Sequence, residues 1–500
     1  MKKRVLFSGR LVAAFLVVVI MASVCLPVYG FSPHTDYTYG RRTGGAARAV
    51  PSPNAFETEK VVGTYAGKDL TDPTDIVYGA DENLYLLDAG NDRILVLDKQ
   101  LELIRVIEGF INEQQAPDTF KDANGLFVDK NLRIFICDTE RKRMICLNQD
   151  GSVYKIYEKP AGVDATQQDR VFEFKPLQVA VDQAGRIFIV NQGTMEGLVC
   201  MSPDGEFDGF IGANRVSLTP WELFWRTFAT AEQRLKMDRA IPTSMNSLTI
   251  DSEGFLYAAA KAEGSSQFVR KFNLNGIDIL KTDRTQGDMS DTIGMIPGRT
   301  PSYFVNIAVY GYGIFTCLDM TRGHLFTYTD TGDILFISGG MTAQEGAFVN
   351  PRALTWMDDS LLVIDRQFGE ITKMNLTEYG GLMIGAVKAQ SIGDYDDATE
   401  KWKRVLELNL NNELAYSGVG KALKKEKNYE EAMDHAKLSG DREIYTQAFE
   451  LNRRIVIEKV MPWIFVTIGI LVLIWFIRTI LKQIKRYKDF LEGRNREWHT

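Results

Sequence analysis

The stretch NLYLLDAGNDRILVLD, residues 83–98, contains two apolar runs separated by Asp88 and a Gly/Asn-rich turn. This pattern predicts a β-hairpin, because turn residues between two strand-forming runs favour antiparallel pairing. An isolated hairpin is barely stable in water, so this one must pack against more sheet. We therefore expect further copies of the same unit along the chain.

The hairpin pattern returns five times, and each copy follows another short apolar run. The later copies begin at residues 131, 185, 254, 312 and 359. A fourth run follows most hairpins, so the unit is four short strands repeated six times. Such tandem units are typical of a β-propeller, in which neighbouring sheets bury each other's faces. The sixth unit lacks a last strand, and we expect the extra strand at 59–67 to supply it and close the ring.

The repeats resemble NHL repeats, and DAGNDRILVLD at 88–98 is closest to that family's pattern. The later units have Asp138, Asn191, Ala260, Asp319 and Asp365 at the position of Asp88. The resemblance covers about residues 59–376 and implies a six-bladed propeller, but one fold hosts many activities. We interpret this Asp as a cap of the tight turn, with a metal-binding or catalytic role as the alternative.

One insertion, residues 217–241, interrupts the repeats between units three and four. Thr219 and Pro220 are typical of the start of a helix, and the following turns are strongly aromatic. Such a helix either folds back on the propeller rim or contacts a partner or a membrane. The candidate partner-binding residues are Trp221, Phe224, Trp225 and Phe228.

After the sixth unit the pattern becomes helical. The segments GDYDDATEKW (393–402) and KNYEEAMDHA (427–436) are offset by the 34 residues that characterise tetratricopeptide repeats. This similarity predicts helices at about 380–391, 395–408, 412–425 and 429–437 within a helical region at 377–450. The stack would serve either as a peptide-binding groove or as a rigid stalk.

Both ends of the chain indicate export. Residues 1–30 have a basic start followed by the apolar run Leu11–Leu26, which predicts a signal segment. Cleavage after Gly30, retention as an anchor and lipidation at Cys25 all remain open. Residues 31–55 are rich in Gly, Pro and Ala without periodicity, which predicts a flexible linker.

The region 451–480 predicts a transmembrane helix with its lead-in, since Val460–Ile477 carries no charge and is long enough to span a bilayer. Trp463 and Trp475 stand near its ends, as interfacial aromatic residues do. The basic tail at 481–500 is then cytoplasmic by the positive-inside rule, and the propeller lies outside the cell. The tail either follows the anionic inner leaflet or forms a short cap.

The start of each inner strand would line one mouth of the propeller channel. These candidate ligand-binding residues are Asp75, Asn124, Gln178, Asn246, Asn306 and Arg352. The ring is polar and mixed in charge, which suits hydrogen bonding to a sugar or a peptide as well as a metal. We predict no catalytic residue, no metal site and no cofactor, because the four histidines are scattered and no phosphate-binding loop is present.

Cysteine and charge content limit the remaining classes. Cys137 and Cys146 flank a hairpin turn and either face each other across two strands or are small buried residues. The net charge of −7 argues against a nucleic-acid partner.

The whole architecture resembles membrane-bound proteins that occur with carbohydrate transport systems in Gram-positive bacteria, some of which continue into a Yip-type domain. We therefore expect a mainly β chain: a six-bladed NHL-type β-propeller at 56–376, a short tetratricopeptide-like stack and a transmembrane helix. The expected function is a membrane-anchored extracytoplasmic binding or scaffold protein that recognises protein or carbohydrate, with envelope proteins such as transporter subunits as partners. The alternative is a gluconolactonase-like hydrolase that uses a divalent metal held by Glu, Asn and Asp side chains.

Overall fold

The computed structural model describes residues 36–40, 48–166, 172–212, 244–260, 269–280, 302–341 and 347–497. Over these ranges the chain forms a six-bladed β-propeller followed by helices, which confirms the predicted mainly β fold. The predicted signal at 1–30 and the insertion at 217–241 lie outside the described residues.

Short strands precede the first blade, and the blades then follow one another along the chain. The first five strands are β1 (Tyr37–Gly40), β2 (Arg48–Pro51), β3 (Phe56–Val62), β4 (Thr64–Tyr65) and β5 (Lys68–Asp69). Blade 1 comprises β6 (Pro73–Tyr78), β7 (Leu84–Asp88), β8 (Arg93–Leu97) and β9 (Leu103–Ile107), and the pair β10 (Phe110–Ile111) and β11 (Pro117–Asp118) follows it. Blade 2 comprises β12 (Ala123–Val128), β13 (Ile134–Asp138), β14 (Arg143–Leu147) and β15 (Val153–Tyr157).

The remaining four blades repeat this order with the innermost strand first. Blade 3 comprises β16 (Pro176–Val181), β17 (Ile187–Asn191), β18 (Leu198–Met201) and β19 (Phe207–Ile211). The described strands of blade 4 are β20 (Met245–Ile250), β21 (Leu256–Ala260) and β22 (Val269–Phe272). Blade 5 contains β23 (Phe304–Gly311), β24 (Ile314–Asp319), β25 (His324–Tyr328) and β26 (Ile334–Gly339), and blade 6 contains β27 (Pro351–Met357), β28 (Ser360–Asp365) and β29 (Glu370–Leu376).

The second strand of each blade explains why the sequence shows continuous apolar runs rather than alternation. Every residue of β7 is buried, because both faces of the blade are covered. Tyr85 and Leu87 pack towards blade 2, whereas Leu84 and Leu86 pack towards blade 6. Each interface between neighbouring blades has its own hydrophobic cluster of this kind.

The ring closes as predicted by the extra N-terminal strand. β3 pairs antiparallel with β29, with Phe56 opposite Leu376 and Val62 opposite Ile371. The backbone N–H of Thr377 then donates to the carbonyl of Ala55, which extends the contact beyond the sheet. The strand starts three residues earlier than the pattern at 59–67 indicated.

The predicted flexible linker does not hold for the described part of 31–55. β1 and β2 form a hairpin whose Tyr37 pairs with Ile337 on the outer edge of blade 5. The buried Asp36 carboxylate accepts hydrogen bonds from the Ser338 hydroxyl at 2.6 Å and the Ala55 N–H at 2.7 Å. These contacts between residues distant in sequence have no local signature, so composition alone indicated a linker.

The aspartate at the hairpin position has a structural role, as interpreted. The buried Asp88 accepts the N–H of Thr71 at 2.8 Å and forms an ion pair with the buried Arg93 at 2.7 Å. The equivalent side chains Asp138, Asn191, Asp319 and Asp365 accept from the N–H groups of Lys121, Lys175, Tyr303 and Val349, respectively. In these five blades the side chain therefore connects the hairpin to the segment that enters the same blade, and not only to its own turn.

The described helices follow blade 6 at the predicted places. They are α1 (Glu378–Ile392), α2 (Tyr395–Leu408), α3 (Glu413–Lys425), α4 (Tyr429–Ser439) and α5 (Arg442–Glu497). Side chains of Thr377, Asp394 and Asn412 cap the starts of α1, α2 and α3. Consecutive helices pack on each other, and one hydrophobic cluster joins α1 to blades 5 and 6.

The four cysteines in the described ranges are buried free thiols, in agreement with the packing alternative. Cys137 lies opposite Met144 in the sheet and Cys146 lies opposite Phe135, so the two cysteines are diagonal neighbours. Burial raises the pKa of the Cys146 thiol to about 12, which keeps it protonated.

Candidate functional site in the central channel

The six predicted channel residues occupy two different positions on the inner strands. Each inner strand starts with a β-bulge, in which two residues face one residue of the neighbouring strand. Asn124, Asn246 and Arg352 are the bulged residues of blades 2, 4 and 6. Asp75, Gln178 and Asn306, on blades 1, 3 and 5, are the residues that immediately follow the bulge.

The residues of the odd-numbered blades line the central cavity and join neighbouring blades. Each side-chain oxygen accepts a hydrogen bond from a backbone N–H on the inner strand of the next blade. The pairs are Asp75 with Leu126 at 2.8 Å, Gln178 with Leu248 at 2.9 Å and Asn306 with Leu354 at 3.3 Å. These side chains therefore connect blades 1 and 2, 3 and 4, and 5 and 6.

The even-numbered blades have small residues at the same position, namely Gly125, Ser247 and Ala353. A Cβ atom added at Gly125 would lie 2.4 Å from the carbonyl oxygen of Leu177 on blade 3. The inner strands of blades 2 and 3 thus approach too closely for a side chain there. Polar and small residues alternate around the channel, which gives its wall an approximate threefold character.

The bulged residues of the even-numbered blades are not part of the cavity lining. Arg352 donates to the Asn124 side-chain oxygen at 3.3 Å, so a contact runs from blade 6 to blade 2 past blade 1. Burial lowers the pKa of Arg352, and the charge of Asp75 opposes this effect. The buried Asn246 Nδ2 has no hydrogen-bond partner among the described residues.

Asp75 is the most perturbed carboxylate of the cavity wall. Its oxygens accept the N–H groups of Leu126 and Ile76, at 2.8 and 3.0 Å. Burial raises the pKa of Asp75 to about 7, although these hydrogen bonds and the charge of Arg352 lower it. The group therefore gains or loses a proton near neutral pH.

The cavity on the propeller axis has a volume of about 690 Å³ and is lined by inner strands of all six blades. Its lining includes Val77, Thr249 and Thr355. Five aromatic residues on four of the blades also line it: Tyr78, Phe127, Tyr310, Tyr312 and Trp356. The combination of aromatic faces with a few hydroxyl and amide groups is typical of a small-molecule site.

Helix α1 contributes to the mouth at the end of the inner strands. The Lys388 ammonium lies 4.9 Å from the centre of the Tyr312 ring, a cation–π contact. Tyr310 donates its hydroxyl to Asp359 at 2.7 Å, and burial followed by this bond raises the tyrosine pKa. A second cavity of about 540 Å³ between α1 and blade 6 shares Tyr310, Asp359 and Lys388 with the central one. The channel mouth is thus built jointly by propeller and helices.

Sequence reasoning missed the residues at this mouth. Tyr310 lies near the end of the inner strand of blade 5 and Tyr312 directly follows it. This strand runs to Gly311 and is longer than the inner strands of blades 1 to 4. The GYG motif at 311–313 was a usable signal, since two glycines around a tyrosine indicate an irregular turn. Lys388 had no such signal, because its helix follows the last blade.

No group of three His, Cys, Asp or Glu side chains that could hold a metal ion lies within the described ranges. The predicted partner-binding residues Trp221, Phe224, Trp225 and Phe228 lie outside those ranges.

No sequence family matches this chain, and no curated protein matches it significantly. Solved structures with a similar fold include virginiamycin B lyase from Staphylococcus aureus, with 10% identity, a TM-score of 0.40, and coverage of 64% of this chain and 99% of that one. A streptogramin B lyase has 13% identity and a TM-score of 0.39, covering 65% and 98%. A protein of unknown function from Bacteroides caccae has 9% identity and a TM-score of 0.34, covering 64% and 98%. These similarities are too distant to transfer an activity.

Proposed function

We propose that this protein is a membrane-anchored extracytoplasmic binding protein whose central cavity takes a carbohydrate. The observation that carries the proposal is the composition of the cavity. Its aromatic faces suit the apolar C–H faces of a sugar ring, and its hydroxyl, amide and carboxyl groups suit the hydroxyls. The volume of about 690 Å³ falls in the range of small-ligand sites.

The position of the polar groups supports a neutral, hydroxyl-rich ligand. Gln178 and Asn306 use their carbonyl oxygens to accept backbone N–H groups, so these bonds do not occupy the amide nitrogens. Asp75 is buried and forms no ion pair with another residue that the structure describes, which disfavours a permanent charge at that place. Gln178 and Asn306 therefore offer amide donors to a ligand. The charged lining residues Asp251, Asp358, Asp359 and Lys388 lie beyond the ends of the inner strands and on α1.

The membrane anchor is helix α5, of which Arg442–Asp489 has the length and composition of a membrane span. These 48 residues are about 72 Å long, more than twice the hydrocarbon thickness of about 30 Å. The aromatic side chains of Trp463 and Trp475 are exposed near the ends of the apolar stretch. Arg478 and the lysines that follow it favour a cytoplasmic C-terminus, which leaves the propeller outside.

The helical stack would hold the propeller close to the bilayer. Beyond Ala448 the described side chains of α5 up to Asp489 are no longer buried by the stack. Ala448 lies about 18 Å along the helix from Val460, where the apolar stretch begins. We propose tetratricopeptide-like repeats as a short stalk, and an accessory role beside a sugar transport system, as the architectural resemblance implies.

The test is calorimetric titration of the full chain in detergent with glucose, maltose, N-acetylglucosamine and xylobiose. Tyr312→Ala removes an aromatic face at the mouth and should weaken binding at least several-fold. Tyr154→Ala is a matched control, since Tyr154 is also half-exposed and also has a cation over its ring, Arg133 at 5.0 Å. Equal losses in both variants, or no binding of any sugar, would reject the carbohydrate proposal.

The lactonase alternative is distinguished in the same preparation. It predicts a stoichiometric divalent ion in the purified chain and hydrolysis of a sugar lactone. Sugar binding without either result supports the binding protein over the enzyme.

A further inference from the structure

The C-terminal helix α5 carries an apolar stripe with a strict alternating spacing of four and three residues. The stripe runs through the membrane stretch and continues beyond it. Its members are Val466, Ile470, Leu473, Ile477, Ile480, Ile484, Tyr487 and Leu491, all at least 37% exposed. This spacing is the heptad pattern of a left-handed coiled coil, with these residues at the a and d positions.

The part of the stripe after Ile477 is informative, because the surrounding sequence is no longer uniformly apolar. The basic residues lie away from the stripe: Arg478, Lys482, Lys485 and Arg486 take heptad positions b, f, b and c. The flanking e and g positions hold the uncharged Leu481 and Gln483, followed by Lys488. Two such helices can therefore meet along the stripe with little repulsion between their cations.

Most of this part of the stripe lies beyond the hydrocarbon. Arg478–Leu491 belongs to one uninterrupted helix with the span, and it has neither Pro nor Gly to bend it onto the leaflet. The segment extends about 20 Å from the end of the apolar stretch. A second helix would cover Ile484, Tyr487 and Leu491, which are exposed along this segment.

The residue types at the seam indicate what that partner is. The a positions at 470, 477 and 484 are all isoleucine, and the d positions at 466, 473, 480 and 487 hold valine, leucine, isoleucine and tyrosine. Isoleucine at a with leucine at d favours two parallel strands, whereas isoleucine at d favours more. The seam therefore fits parallel self-association, of which the dimer is the smallest form. Copies inserted in one membrane with one topology present identical stripes in parallel and in register.

We propose that this chain forms a parallel homodimer along the Val466–Leu491 stripe, on both the membrane and the cytoplasmic part of α5. The proposal rests on the proposed membrane span. It places two propellers on the same side of one membrane, which allows bivalent binding to a polymeric or clustered ligand.

The experiment is oxidative cross-linking of single-cysteine substitutions in the full chain in native membranes. Ile484→Cys lies on the seam, and Lys482→Cys is its control at the same depth on the opposite side of the helix. The described native cysteines are buried, and the unsubstituted chain measures any background. We expect several-fold more disulfide-linked dimer with Ile484→Cys than with Lys482→Cys, and the same result with Tyr487→Cys as a second seam position.

Extraction of the same membranes at alkaline pH separates the two proposals. A chain released by this treatment contradicts the membrane span itself. A chain that stays in the membrane but gives equal or no cross-linking at 482, 484 and 487 contradicts the dimer and leaves the span intact. Cross-linking of Ile484→Cys only to a protein of different mass would also overturn the homodimer.

Discussion

The propeller carries two rings of buried or half-buried polar side chains, which differ in their bonding partners and in the number of blades that contribute to them. The connector ring, with Asp88 as its first member, recurs in five blades, and Asp88 is fully compensated by Thr71 and Arg93. The channel ring of Asp75, Gln178 and Asn306 occurs only in alternate blades. Asp75 accepts two backbone N–H groups, and it forms no ion pair with any residue in the described ranges. The connector ring is therefore part of the fold, whereas the channel ring also lines the cavity in which we propose that the ligand binds.

The largest effect is expected from breaking the connector ring. Asp88→Ala leaves Arg93 buried without its carboxylate, because only 1% of that side chain is exposed. Removing one partner of a buried ion pair costs about 3–5 kcal/mol of unfolding free energy. Denaturant unfolding of the full chain in detergent measures the loss. A change below about 1 kcal/mol, as for an exposed pair, would show that Arg93 finds other partners.

The channel ring should respond to pH instead. In the folded chain the pKa of Asp75 is about 7, raised above its unfolded value by burial. From about pH 4 upwards the folded state then binds more protons than the unfolded state, so stability falls as pH rises towards 7. Asp75→Asn removes this contribution. Near pH 4 the variant and the parent should have the same unfolding free energy. Between pH 4 and pH 7 the variant should become increasingly more stable than the parent, and above pH 7 the difference should stay constant.

The comparison between variant and parent is essential here, because burial also raises the pKa of Asp36 to about 6. Asp36 contributes the same pH dependence of stability to both proteins, so its contribution cancels in the difference between them. Parallel curves for the two proteins would mean that Asp75 titrates normally in the fold.

Close contact between blades 2 and 3 is the next target. Gly125→Ala places a methyl group against the backbone of Leu177, so either the strand shifts or the blades separate. Overpacking of this kind costs about 1–3 kcal/mol. Gly381→Ala is the opposite control, since no atom lies within 4 Å of its added Cβ. Because Gly381 lies in a helix, this control should gain up to about 1 kcal/mol of unfolding free energy. An equal loss of stability in both variants would contradict the steric argument.

The sequence predicted the blades better than the channel, for a physical reason. Strands covered on both faces need continuous apolar runs, and these runs are visible at residues such as Leu84 and Leu86. The bulge is different, because it lies in the pairing between the first and second strands of each blade and shifts the register there by one residue. Residues predicted as one ring, such as Asp75 and Asn124, consequently point to different surroundings. Lys388 joins the mouth only through the packing of α1 against the propeller.

The smallest effects concern the hydrogen bonds between paired blades. Gln178→Ala leaves the Leu248 N–H without its side-chain acceptor, and the bond of 2.9 Å predicts a loss of about 1 kcal/mol. Asn306→Ala removes a longer bond of 3.3 Å to Leu354, and we expect about half that loss. Both variants enlarge the same cavity, so denaturant unfolding compares the bonds under similar conditions. If Asn306→Ala causes the larger loss of stability, the hydrogen bond between blades 5 and 6 contributes more than its length of 3.3 Å indicates. The chain-closing blade would then depend on the channel ring as well as on β3.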